Sequence, residues 1–99
     1  MIRELVREAK QIEKYDSIDD KMALVLATAR GFRLGANAVL INGDDGLELY
    51  IISDGIKAIY WDNEEELEKD DEWSAKIRDA EVLLAVKNRY ETLALALRL

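Results

Sequence analysis

The chain has 99 residues, 49% of them hydrophobic and 35% charged, and a formal net charge of −7. That is the size and composition of one folded domain and not of a disordered segment. It contains no cysteine and no histidine, which removes disulfides, thiolate nucleophiles, the usual zinc ligands and every Ser-His or Cys-His catalytic arrangement. No stretch reaches the roughly 18 uninterrupted apolar residues of a membrane span, and the opening run MIRELVREAK is charged where a signal peptide turns apolar. The expectation is a cytoplasmic protein with no membrane partner.

Proline is absent as well, although average usage of about 5% predicts about five in a chain of this length. That gap keeps a de novo designed or engineered scaffold, with no natural activity, among the readings. The charge is unevenly placed. Residues 1–61 carry ten acids against eight bases, residues 62–72 eight acids against Lys69 alone, and residues 73–99 five bases against three acids. The acidity is one local block, and direct attraction to a nucleic-acid backbone is not expected.

Taken in chain order, Ile2, Leu5, Val6, Ala9 and Ile12 recur at steps of three and four, the spacing of an amphipathic first helix. Asp16 and Ser17 offer N-cap groups for a second helix, with Asp19 and Asp20 in its first turn. Its body, Met22-Ala-Leu-Val-Leu-Ala-Thr-Ala29, is apolar nearly all round, and Gly31 or Gly35 closes it. Residues 38–41, 47–53 and 56–61 are then short β-prone runs, separated by Asn42-Gly-Asp-Asp-Gly46 and by Asp54-Gly55. The second separator is a strong two-residue hairpin signal. With Asp54 and Gly55 as the turn, Leu49 would pair with Tyr60 and Tyr50 with Ile59. One sheet face would then carry Leu47, Leu49, Ile51, Ile56, Ala58 and Tyr60, and the other Tyr50, Ile52, Ile59 and Trp61. After Asp62 or Asn63, helix propensity runs to Leu99. An unbroken helix over residues 73–99 would be about 40 Å long, so it should bend, break or project. The tail Leu93-Ala-Leu-Ala-Leu-Arg-Leu99 alternates as a strand does, yet leucine and alanine are helix formers, and helix is the expectation there. The expected fold is a single α+β domain over residues 1–99, in the order ααβββα: two N-terminal helices, a three-stranded antiparallel meander and a long C-terminal helix.

Three constellations bear on function. The loop at residues 42–46 lacks the alternating oxygen ligands of an EF-hand and reads as a hairpin loop. Glu64, Glu65, Glu68 and Glu72 form a carboxylate row of the kind that can hold magnesium for phosphate chemistry. Residues 64–68 resemble the first half of the divalent-metal motif of MazG-type nucleotide pyrophosphohydrolases. The resemblance implies a magnesium-dependent phosphate or nucleotide hydrolase on the acidic helix. It extends no further, because Glu81 is followed three residues on by Leu84 and Glu91 by Ala94, where that family places aspartate.

The third constellation is the acidic block taken as a contact surface, able to imitate a nucleic-acid backbone and engage a basic protein. The leading expectation is a non-enzymatic protein–protein interaction module, such as a small acidic inhibitor, with no cofactor and no metal. Its candidate contact residues are Asp62, Glu64, Glu65, Glu66, Glu68, Asp70, Asp71 and Glu72, together with Tyr50, Ile52, Ile59 and Trp61. The partner is expected to be a second copy of the chain, giving a homo-oligomer, or a basic protein.

Overall fold

The computed structural model describes residues 2–8, 12–15, 30, 32–53, 55–88 and 90–99. Helix α1 (Ile2–Glu8) is followed by strands β1 (Ile12–Tyr15), β2 (Ala38–Gly43), β3 (Gly46–Ser53) and β4 (Gly55–Trp61). Helices α2 (Glu64–Glu68) and α3 (Asp71–Arg78) come next, then strands β5 (Glu81–Asn88) and β6 (Leu93–Arg98). The six strands form one sheet in the order β1-β5-β6-β2-β3-β4. β1 runs parallel to β5, and every other neighbouring pair is antiparallel.

This corrects the expected ααβββα order. The meander is not a sheet of its own but one half of a larger one, and there is no long C-terminal helix; strand outweighs helix, so a helix-rich α+β description does not apply. α3 stops at Arg78, closed by the Asp79 and Ala80 amides, which donate to the Ala75 and Ile77 carbonyls. A helix of about 40 Å would overrun a molecule whose longest dimension is 34 Å. β5 and β6 instead pair antiparallel in the middle of the sheet. Residues 82–86 and 93–97 are buried on both faces. A strand buried on both sides carries an unbroken apolar run and so loses the alternation that would mark it as a strand. Helix propensity separates residues by at most about 0.7 kcal/mol, whereas burying one large apolar side chain contributes about 1.5–3 kcal/mol, so burial decides.

The tail's alternation is real and sorts by size. Leu93, Leu95 and Leu97 enter the cluster on one face of the sheet, and Ala94 and Ala96 the cluster on the other. The hairpin turns on buried Asn88, whose Oδ1 accepts from the amides of Tyr90 (2.9 Å) and Thr92 (3.0 Å). Glu91 takes the left-handed conformation there, at φ 68°. The chain supplies this turn without glycine or proline, so little in the sequence announces it.

At the N-terminus the expected first helix is shorter than its periodicity suggested, because Ile12 opens β1. The body of the expected second helix lies outside the described residues. Residues 32–34 are helical, and Gly35 follows at φ 90°.

The first face of the sheet is covered by all three labelled helices. Ile2 and Leu5 of α1, Leu67 of α2 and Ile77 of α3 meet Leu40, Leu47, Leu49, Trp61, Leu95 and Leu97. The second face holds a separate buried cluster of Val39, Ile41, Leu83, Leu84, Val86, Ala94 and Ala96. A bulge between Val82 and Leu84 gives this cluster both Leu83 and Leu84.

Candidate functional site

The β3–β4 hairpin decides which side chains share a surface. Ser53 pairs with Gly55, Ile51 with Lys57, Leu49 with Ile59 and Leu47 with Trp61, one residue tighter than an Asp54-Gly55 turn would give. A one-residue slip moves every side chain of a strand to the opposite face. Ile59 and Trp61 therefore join the first face, packed under the helices, while Tyr50 and Ile52 stay on the second. The four residues expected to line one surface are split two and two. Tyr60, expected in the core, is 54% exposed on the second face.

The acidic block is likewise divided between structural and free groups. Asn63 caps α2 and Asp70 caps α3, each accepting the amide three residues on. The Asp70 carboxylate also accepts the Trp61 indole N–H at 3.2 Å, so one side chain fixes both the helix start and the end of β4. Glu64 accepts the Ile2 amide at 2.9 Å and pins α1 to α2. Glu65 and Glu66 stand within 3.7 and 3.5 Å of the Lys69 ammonium, and Glu72 lies 3.1 Å from Lys76. Asp62, Glu68 and Asp71 are exposed. The break between α2 and α3 spreads the carboxylate row over two helices. Among the described residues no group of three or more acids is placed to hold a metal ion.

A different acidic assembly lies at the end of β4. Tyr60 donates its phenol proton to the Asp45 carbonyl, across the two-residue turn joining β2 and β3. Gly46 makes this approach possible. It sits at φ 119°, and a Cβ there would lie 2.6 Å from the Trp61 carbonyl and 2.9 Å from the Tyr60 hydroxyl. Glu48 stands directly opposite Tyr60 in the ladder and accepts from the Tyr50 hydroxyl. Desolvation first, and then the carboxylates of Asp62, Asp45 and Glu48, hold the Tyr60 phenol above the ordinary tyrosine range. Acids from the β2–β3 turn, from β3 and from the start of the sequence block thus act on one exposed aromatic ring. Sequence reasoning missed Asp45, Glu48 and Tyr60. It read residues 42–46 only as a loop and, with the register one residue off, placed Tyr60 in the core.

One further depression encloses about 410 Å³ between Ile51, Trp73, Lys76, Asp79 and Leu99. Its cation is already engaged, for the Lys76 ammonium lies 4.5 Å from the centre of the Trp73 ring and bonds Glu72. No helix among the described residues is long and apolar enough to cross a membrane. Comparison with protein-family models, with curated proteins and with solved structures gave no match.

Proposed function

We propose that this chain is a non-enzymatic protein–protein interaction module of the cytoplasm, engaging a basic partner through the acidic surface around Tyr60. The observation that carries the reading is the position of one exposed tyrosine, directly opposite Glu48 in the ladder, bonded to the Asp45 carbonyl and two residues before Asp62. Carboxylates around an aromatic ring suit a guanidinium or ammonium group, which gains ion pairing at its N–H groups and cation–π attraction over the ring face. The exposed acids of α2, namely Glu65, Glu66 and Glu68, follow directly after Asp62 in the chain and extend the same sign of charge. A net charge of −7 steers a basic partner toward this surface over roughly a Debye length. It repels phosphate backbones for the same reason.

The test is calorimetric titration of the protein with an oligo-arginine peptide at low and high salt. Binding is expected to weaken steeply with salt, and to drop at least about tenfold in the triple variant Asp45→Lys, Glu48→Lys, Asp62→Lys, a change of about 1.4 kcal/mol. Equal affinity of wild type and triple variant overturns the assignment.

A further inference from the structure

β4 is the last strand of the sheet, and hydrogen-bond alternation shows what its outer edge presents. The Ile52 amide donates to the Asn37 carbonyl at 2.8 Å, so the even-numbered residues of β3 direct their backbone groups at β2. The odd-numbered ones then face β4, because successive residues of a strand point to opposite neighbours. Leu49 and Ile51 accordingly exchange bonds with Ile59 and Lys57. This leaves the N–H and C=O groups of Ile56, Ala58 and Tyr60 directed outward. Among the described residues none pairs with them, and Ala58 and Tyr60 are exposed.

Edges of this kind are normally blunted by proline, a bulge, shortness or charge. β4 has seven residues, no proline and no register shift, and Lys57 is its single charge.

We propose that the outer edge of β4 is a strand-addition site for an extended basic segment of a partner protein, which would extend the sheet beyond Ala58. The inference rests on the reading of the acidic surface and specifies how the partner is held. Charge complementarity identifies the occupant. Every second side chain of an added strand would stand beside Ala58 and Tyr60 on the second face, within reach of Glu48, Asp45 and Asp62. Lysine or arginine at alternate positions satisfies them, while main-chain bonds to Ala58 and Tyr60 supply affinity independent of side-chain identity. A second copy of this chain is the poorer occupant, since each copy brings a net charge of −7 to the contact.

The experiment uses a short peptide alternating lysine and threonine, and the same peptide N-methylated at alternate amides on the edge-facing side. Methylation keeps the charge and removes the donors. The parent peptide is expected to bind at least about tenfold more tightly than the methylated one, the loss of one or two hydrogen bonds. Ala58→Pro removes an outward amide that β3 does not use, a position where an edge strand accepts proline. It should erase that difference while leaving the melting temperature and the residual salt-sensitive binding in place. If both peptides bind wild type equally, and both lose binding to the triple lysine variant, strand addition is wrong and the acidic-surface reading stands. If neither peptide binds, both fall. A protein that sediments as a dimer, and as a monomer after Ala58→Pro, has a second copy on this edge, which overturns the basic partner.

Discussion

The β5–β6 hairpin and the β3–β4 hairpin are both antiparallel, yet they sit in opposite surroundings. The first occupies the centre of the sheet with both faces buried; the second ends the sheet, with Lys57, Ala58 and Tyr60 in water. Both faces of the central pair are taken up by packing, whereas the edge pair packs on one face and leaves part of the other in water. A central strand pairs its backbone on both sides and here exposes only its outer ends, Glu81 and Arg98, whereas an edge strand keeps one row of backbone groups unpaired.

Three measurements would break or sharpen that contrast. Leu95→Ala, at a side chain 1% exposed between β5 and β2, should cost about 3 kcal/mol in denaturant unfolding, through lost transfer energy and the cavity left behind. A cost below 1 kcal/mol would mean that the centre is loosely packed. Asn88→Ala should cost about 2 kcal/mol, because it strips the acceptor from the amides of Tyr90 and Thr92, of which the Thr92 bond is buried. The edge should respond least. Glu48→Gln should leave stability within about 0.5 kcal/mol yet lower the ionisation midpoint of Tyr60, followed by tyrosinate absorbance. The sign follows from the raised phenol. The unfolded chain ionises first, so stability declines as pH rises from the unfolded value toward the folded one and is constant below both. A Tyr60 midpoint unmoved by the substitution would remove Glu48 from the site.

The same contrast explains what could be read in advance. β2, β3 and β4 were legible because glycine-bearing turns separate runs of β-branched and aromatic residues. β5 and β6 were not, since Val82-Leu-Leu-Ala-Val86 reads equally well as a buried helix, and a single asparagine carries the whole turn. The start of α2 was visible at Asp62 or Asn63, but continuous helix propensity hid both the break after Glu68 and the second start that Asp70 caps. At the candidate site the acids of residues 62–72 were plain, while the place of Glu48 and Tyr60 opposite each other, with Asp45 and Asp62 beside them, required the register. That register turned on whether the β3–β4 connection holds one residue or two, which the pair Asp54-Gly55 does not decide.

The strand order has a consequence for biosynthesis. β5 and β6 lie between β1 and β2, although the ribosome makes them after every other strand. A nascent chain that has reached β4 lacks the segments that fill the inner edge of β2 and the side of β1 in the folded sheet. The final hairpin has to insert between pre-existing segments, pairing Ile12 with Ala85 and Asn42 with Leu93. Contacts so distant in sequence close slowly, and an unfilled β2 edge invites intermolecular pairing in the meantime. The strand order therefore exposes the chain to mispairing for as long as its central strands have not left the ribosome.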